Sequence, residues 1–170
     1  MVDLTGRKVI ITGASQGLGA EIARQYVNSG ASVVLCSRTQ HDLNAVKEDL
    51  EQDLKENQKI VIAECDVSKS NEVEEMISMS LDVLGHVDVL VNNAGTTEFI
   101  DFTDLEAVTD GVWDRIFAVN LKGPFQCSRA AREHLAGGFM VDGTSQFQLG
   151  RRNQQSKRNS PGNLIQKACG

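Results

Sequence analysis

The chain has 170 residues, 41% of them hydrophobic, which is enough to bury the core of one domain. Its formal net charge of −6 argues against a surface for duplex nucleic acid, since such surfaces carry clustered basic residues. Four cysteines and three histidines are scattered without the paired spacing of a zinc or iron–sulfur site, so no metal is predicted. With no secretory signal or membrane span expected, we predict a cytoplasmic protein with reduced thiols.

Residues 9–19 are the most informative stretch. A β-branched run at 9–11 predicts a strand, Gly13, Gly17 and Gly19 predict a tight turn, and apolar residues over 18–27 repeat with helical spacing. The N–H groups at the start of such a helix suit a pyrophosphate, so a dinucleotide site is the first functional interpretation. The spacing is Gly-x3-Gly-x-Gly rather than Gly-x-Gly-x-x-Gly, and a purely structural turn is the alternative.

Three further strands are predicted along the chain, with amphipathic helices between them. Residues 33–36 form a continuous apolar run, which indicates a strand buried on both faces. Alternation of strands and helices predicts right-handed crossovers and a parallel sheet. The other strands are predicted at 60–63 and 87–91, and the helices at 43–54 and 73–84.

A long helix is predicted after a polar loop at 96–103. Its apolar residues, from Trp113 to Phe125, step by three or four, and Asn120 falls on the same stripe. A buried amide without a partner costs about 1–3 kcal/mol, so Asn120 needs a hydrogen bond. It either ties the helix to a neighbouring loop or serves as a relay for water or substrate.

The composition changes near Leu149. Residues 151–170 carry five basic residues and no acidic one, which leaves a net charge of −11 on residues 1–150. Residues 150–162 contain no aliphatic side chain, and such a stretch cannot bury enough apolar area to offset the entropy of ordering it. We therefore predict one domain over residues 1–149 and a disordered tail over residues 150–170.

An ordered set of motifs gives the chain a family resemblance. The motifs are residues 12–19, 66–67, 92–95 and Asn120. Over roughly residues 3–138 the chain resembles the short-chain dehydrogenase/reductase family, in particular its 3-oxoacyl-carrier-protein reductase-like members and its sugar or alcohol dehydrogenases. The resemblance implies an α/β fold with a Rossmann-type doubly wound parallel sheet that binds NAD(P)(H), here incomplete with about four to five strands.

The resemblance also implies roles for individual residues. The glycine turn would hold the diphosphate, Asp66 the adenine amino group, and Val67 one side of the adenine ring. Asn93 would wall the ribose side, or equally brace the end of a strand. The predicted cofactor-binding residues are Gly13, Ser15, Gln16, Gly17, Leu18, Gly19, Ser37, Arg38, Asp66, Val67, Asn93, Ala94 and Gly95.

The choice of cofactor depends on the end of the second strand. An acidic residue there would accept hydrogen bonds from the ribose 2′-OH of NAD. This chain has Ser37 and Arg38 instead, a hydroxyl and a guanidinium that suit a 2′-phosphate. We predict NADP(H), with NAD as the alternative cofactor and a solvated loop arginine as the alternative role for Arg38.

The chain departs from the family in its proton-transfer residues. The family has a serine after a fifth strand and Tyr-x-x-x-Lys on the next helix, which move protons during hydride transfer. The one tyrosine here is Tyr26, far too early, and no Tyr-x-x-x-Lys occurs. Residues 139–145 stand where the fifth strand belongs. The predicted catalytic residues are therefore Asn120 and Ser145, and an ordinary loop serine is the alternative for Ser145.

These observations lead to a functional prediction. We predict an NAD(P)-dependent oxidoreductase that interconverts a carbonyl and a secondary alcohol of a small molecule, with little turnover from this chain. The alternative is a non-catalytic nucleotide-binding or interaction fragment. The break near residues 139–150 suggests that a shifted reading frame or alternative terminus replaced the catalytic third. Homo-oligomers are typical of the family, but part of their interface is missing here, and neither nucleic acid nor a membrane is an expected partner.

Overall fold

The computed structural model describes residues 2–142 and 146–148. A 3-10 turn at Leu105–Ala107 and a π-helical segment at Ala118–Lys122 accompany the regular elements. The strands are β1 (Lys8–Thr12), β2 (Ser32–Ser37), β3 (Ile60–Glu64), β4 (Val87–Asn92), β5 (Leu135–Asp142) and β6 (Gln146–Gln148). The helices are α1 (Gly17–Asn28), α2 (Gln40–Glu51), α3 (Ser70–Leu84), α4 (Asp110–Phe117) and α5 (Gly123–Ala131).

Within the described residues the strands form one sheet in the order β3-β2-β1-β4-β5-β6. The first five strands run parallel, and β6 pairs with β5 in the antiparallel direction. The predicted parallel Rossmann-type sheet is confirmed. Strand β5 begins four residues before the predicted stretch, and β6 was not predicted. The predictions for Ser145 and for the tail at 150–170 lie outside the described residues.

Helices cover both faces of the sheet, because alternate side chains of the buried strands point to opposite sides. On β1, Val9 and Ile11 pack towards α1 and α2, whereas Ile10 packs towards α3 and α5. All three side chains are fully buried. Two separate cores therefore form, one on each face, as a doubly wound sheet requires.

The strand order places a crevice above β1. From β1 the chain builds the sheet outward through β2 to β3, then returns to the other side of β1 with β4. Neighbouring connections leave the sheet in opposite directions at this switch point, which opens a crevice at the carboxyl ends of the strands. Every motif singled out at 12–19, 66–67 and 92–95 follows directly from one of these strand ends.

The predicted long helix is interrupted by the π-helical segment between α4 and α5. Four large apolar side chains of this segment are exposed to solvent and form what is called here the exposed stripe: Trp113, Phe117, Leu121 and Phe125. A spacing of four drifts around an α-helix of about 3.6 residues per turn, and the wider π turn in the middle reduces that drift. The sequence pattern treats this stripe, including Asn120, as buried. That prediction is wrong, because these residues are exposed in the part of the chain that the structure describes.

None of the helices within residues 2–142 and 146–148 combines the length and the hydrophobicity needed to cross a bilayer.

Candidate functional site: a polar cavity at the strand ends

A cavity of about 450 Å³ lies at the carboxyl edge of the sheet. All thirteen predicted cofactor-binding residues line it, although they come from four separate strand ends. The structure therefore brings together what the sequence spreads over more than eighty positions. Six lining residues were not predicted: Cys36, Thr39, Asp42, Cys65, Thr96 and Val119. The roles assigned to the predicted residues remain predictions.

The three glycines of the turn serve two different purposes. A Cβ on Gly13 would come within 2.8 Å of Ala94 Cα, and one on Gly19 would collide with the carbonyl oxygen of Gly13. These two glycines let the turn pack against the end of β4. Gly17 has a φ of +54°, and a Cβ there would meet nothing within 4 Å. Gly17 therefore keeps space open on the cavity side of the turn.

The N-terminus of α1 lies in the cavity wall without a capping side chain. Gln16 precedes the helix in an extended conformation and makes no side-chain cap, and the first turn holds no acidic residue. The first N–H groups of a helix have no partner within the helix, and its dipole is positive at that end. Residues 16–19 therefore present donors and a positive potential to the cavity, which suits a phosphate group.

Thr12 and Asn93 fasten the ends of β1 and β4 together. The Thr12 hydroxyl accepts hydrogen bonds from the backbone N–H groups of Asn93 and Ala94, each at 3.1 Å. In return, Asn93 Nδ2 donates to the carbonyl oxygens of Thr12 and Gly13, also at 3.1 Å. Asn93 thus braces the strand end, which is one of the two roles predicted for it. Thr12 was missed as a contributor, although a polar residue ending an apolar strand was a visible signal.

Asp66 provides a fixed carboxylate at another end of the cavity. It accepts hydrogen bonds from the Ser68 backbone N–H at 3.0 Å and from the Ser68 hydroxyl at 2.8 Å. Burial alone would raise the pKa of Asp66, but these hydrogen bonds, together with nearby Lys69 and Arg38, hold the pKa below its usual value. Asp66 is therefore ionised at neutral pH and can accept a hydrogen bond from an amino group.

Ser37 and Arg38 form the cavity wall after β2. Ser37 Oγ accepts a 3.3 Å hydrogen bond from the Thr39 backbone N–H, which shapes the start of α2. Arg38 is exposed, and within residues 2–142 and 146–148 it makes no salt bridge. Its guanidinium is available to an anion at the cavity edge. Asp42, one turn further on, also lines the cavity and adds a nearby negative charge.

Asn120 lies beside the cavity without lining it. Its Oδ1 accepts a 2.8 Å hydrogen bond from the Thr96 backbone N–H, and its Nδ2 donates to the Thr96 carbonyl oxygen at 2.9 Å. Asn120 thus ties the helix to a neighbouring loop, the first of the two alternatives. The other predicted catalytic residue, Ser145, lies outside the described residues, and Tyr26 packs on the α1 side of the sheet, away from the cavity.

Three cysteines are buried: Cys36 and Cys65 line the cavity, and Cys127 lies in the core between the sheet and α5. The pKa of Cys36 is raised well above its usual value, first by its hydrogen bond with Cys65 and then by burial. Burial raises the pKa of Cys127 to about 12. Across the part of the chain that the structure describes, no group of three or more candidate ligands is arranged to hold a metal ion.

A comparison with known protein families identifies the chain. A family model described as short chain dehydrogenase matches residues 7–147. The chain belongs to the short chain dehydrogenase family. An uncharacterised oxidoreductase from Staphylococcus haemolyticus is 37% identical to it over 123 residues, which cover 72% of this chain and 50% of that protein.

Solved structures of short chain dehydrogenases share the fold. An alcohol dehydrogenase from the archaeon Thermococcus sibiricus, complexed with 5-hydroxy-NADP, aligns with a TM-score of 0.72 at 31% identity, covering 80% of this chain and 57% of that one. A metagenomic short-chain oxidoreductase in complex with NADP aligns with a TM-score of 0.70 at 36% identity, covering 78% and 57%. The chain spans about half the length of the curated relatives it matches.

Proposed function

We propose that the cavity binds NADP(H). The observation that carries this proposal is the convergence of residues from four strand ends on one cavity. The uncapped N-terminus of α1 and the open space at Gly17 suit the diphosphate. At another end of the cavity, the ionised Asp66 suits the amino group of adenine.

The preference for NADP(H) over NAD(H) rests on Arg38. A guanidinium binds a phosphate through charge-assisted hydrogen bonds, which an uncharged 2′-OH cannot match. Two of the solved relatives were captured with NADP or 5-hydroxy-NADP, which supports the same choice. Asp42 is the counter-argument, because a carboxylate near the ribose would favour the 2′-OH of NAD(H).

Calorimetric titration of residues 1–170 with NADPH and NADH tests the cofactor proposal. We expect NADPH to bind at least tenfold more tightly, and Arg38→Gln to remove most of that difference by weakening NADPH alone. Arg132→Gln is the matched control, since Arg132 is also exposed but does not line the cavity. Equal affinities for the two cofactors would contradict the NADP(H) assignment, and no heat with either would contradict the dinucleotide site.

We further propose that the reaction served by this site interconverts a carbonyl group and a secondary alcohol. When bound, the nicotinamide ring supplies or accepts the hydride. The chain's own residues bind and orient the dinucleotide, while Asn120 holds the loop at Thr96 beside it. The proton-transfer pair Tyr-x-x-x-Lys does not occur among the 170 residues. This polypeptide would therefore bind the cofactor but catalyse the reaction only slowly.

An absorbance assay separates binding from turnover. Residues 1–170 are mixed with NADPH and a generic diketone, and loss of the reduced nicotinamide is followed alongside the binding titration. We expect NADPH to bind. We expect its oxidation to be slower than with a family member that carries Tyr-x-x-x-Lys, by a factor of about 10² or more. Rapid oxidation of NADPH would contradict the assignment of proton transfer to that motif.

The cytoplasm is the proposed location. The three buried cysteines of the described residues are free thiols, which suits a reducing compartment. A fluorescent-protein fusion imaged in the host cell tests this, and a signal confined to an organelle or to the cell exterior would contradict it.

A further inference from the structure

One continuous helical segment contacts the wall of the cavity at two separate places. It comprises α4, the π-helical segment and α5, and Val119 on it lines the cavity directly. Asn120 binds the loop at Thr96, next to the glycine turn. Gln126, six residues later, binds the segment after β3 at Val67. The same helix therefore fixes the cavity wall at two separated places.

Gln126 is a buried glutamine that binds the backbone of another segment. Its side chain is 4% exposed, and its Nε2 donates a 2.8 Å hydrogen bond to the carbonyl oxygen of Val67. A buried amide without a partner would destabilise the protein, so its position depends on this hydrogen bond. Val67 itself is 6% exposed and lines the cavity. Gln126 thus connects the core of α5 to a residue of the cavity wall.

Gly123 lets the backbone of α5 pack against the side chain of Val67. A Cβ on Gly123 would come within 2.8 Å of Val67 Cγ2 and 3.2 Å of Val67 Cβ. Only glycine allows this close approach without a shift of the wall. Val67 is therefore held at its carbonyl oxygen by Gln126 and at its side chain by Gly123, from one turn of α5.

The neighbouring residue Asp66 is held by a different helix, α3, which packs beside α5 on the same face of the sheet. Glu72 on α3 accepts a 2.7 Å hydrogen bond from the Asp66 backbone N–H, and Ser68 donates to the Asp66 carboxylate. Helix α3 therefore holds Asp66, while α5 holds Val67. A displacement of either helix would change the relative positions of the carboxylate and the apolar side chain beside it.

We propose that Gln126 is a positioning residue for the purine base of the bound nucleotide. It acts through Val67, and Gly123 supports it by letting α5 approach. This inference rests on the proposed NADP(H) site, with Asp66 facing the amino group of the base and Val67 covering one side of its ring. Gln126 itself does not line the cavity. It sets how well the cavity distinguishes one purine from another.

The test uses NADPH and the reduced form of nicotinamide hypoxanthine dinucleotide phosphate, which differ only in the purine base. In the analogue, a carbonyl oxygen replaces the amino group of adenine and the adjacent ring nitrogen carries a hydrogen. The unchanged chain binds NADPH more tightly, because the Asp66 carboxylate accepts from the amino group and repels the carbonyl oxygen. Gln126→Met, which keeps the length and removes the donor, weakens NADPH by about fivefold and leaves the hypoxanthine analogue within about twofold.

Ser80→Ala is the matched control. Ser80 is fully buried and donates a 2.6 Å hydrogen bond to the Met76 carbonyl oxygen, within α3 and away from the cavity. The Ser80→Ala variant loses stability, as Gln126→Met does, but it keeps the preference for NADPH over the hypoxanthine analogue. If Gln126→Met does not fold, Gln126→Asn is measured instead, since it stays polar but is too short to reach Val67.

The outcomes separate the two proposals. Loss of the purine preference in Gln126→Met, with the preference intact in Ser80→Ala, supports the positioning role. Equal weakening of both dinucleotides, or unchanged affinities in a folded variant, overturns it. Equal affinity of the unchanged chain for the two dinucleotides also overturns it, while no binding of either by the unchanged chain contradicts the NADP(H) site itself.

Discussion

Asn120 and Thr96 exchange two hydrogen bonds, one donated by the Thr96 backbone N–H and one accepted by the Thr96 carbonyl oxygen. The side-chain amide of Asn120 thus satisfies both backbone hydrogen-bonding groups of Thr96, as a neighbouring β-strand would. Since Thr96 lines the cavity and follows directly after Gly95, this pair fixes the course of the loop where it leaves the site.

Removing this pair should loosen the loop. We expect Asn120→Ala to lower the free energy of unfolding by about 1 kcal/mol relative to Asn44→Ala, and to speed hydrogen exchange at the Thr96 amide. Asn44 is the control because it is an exposed asparagine in the interior of α2, so it shares the change in helix propensity but not the contact. Equal urea midpoints and equal exchange rates in the two variants would show that the pair contributes nothing.

The open space at Gly17 leads to a second prediction. Gly17→Ala places a methyl group on the cavity side of the turn, and we expect NADPH affinity to fall at least tenfold. Gly85→Ala is the control, since Gly85 also has a positive φ and open space around it but ends α3 away from the cavity. Both variants should lose about 1 kcal/mol of stability from the left-handed backbone. Retained affinity in Gly17→Ala would contradict the role of this turn.

The lowered pKa of Asp66 predicts the direction of a pH effect. A carboxyl whose pKa is lower in the folded state stabilises the fold above its unfolded value of 3.8, and that stabilisation disappears as the pH falls through the folded value. The unfolding free energy of the unchanged chain should therefore fall more steeply below about pH 5 than that of Asp66→Asn.

Asp82→Asn controls for the loss of one surface charge, because Asp82 is an exposed carboxylate on α3. Denaturant melts across the acidic range give the two slopes. If Asp66→Asn and the unchanged chain lose stability in parallel, the hydrogen bonds from Ser68 do not stabilise the ionised form.

The buried thiols predict slow chemical labelling. The thiolate is the reactive form, and both burial and a raised pKa suppress it at Cys127, whose pKa is about 12, and at Cys36. In a Cys169→Ser background, an aromatic disulfide reagent at about pH 8 should react only as fast as the protein unfolds. In denaturant, the remaining cysteines should react at once. Fast labelling of the folded protein would contradict this burial.

The sequence predicts most of the sheet because its strands combine β-branched runs with glycine turns. Strands β1 to β4 extend at most one residue beyond each end of the predicted runs. Strand β5 was placed less well, since Gly137 and Gly138 interrupt its apolar pattern. The cavity follows from the strand order, because parallel strands bring all their carboxyl ends to one edge.

Other features depend on contacts that periodicity does not contain. The spacing from Trp113 to Phe125 correctly groups side chains on one face, but the pattern cannot say whether another element covers that face. Neither helix propensity nor apolar spacing distinguishes the π-helical segment from a continuous α-helix. Gln126 was not predicted either, since its partner Val67 lies 59 residues away in sequence.

The exposed stripe also carries a built-in optical probe. Trp113 is the one tryptophan of the chain, its side chain is 52% exposed, and its ring lies 5.4 Å from that of Phe117. Tryptophan emission therefore originates at a single place on this helix. Any protein or detergent that covers Trp113 would move the emission to shorter wavelengths, so contact with this face can be followed in unlabelled material.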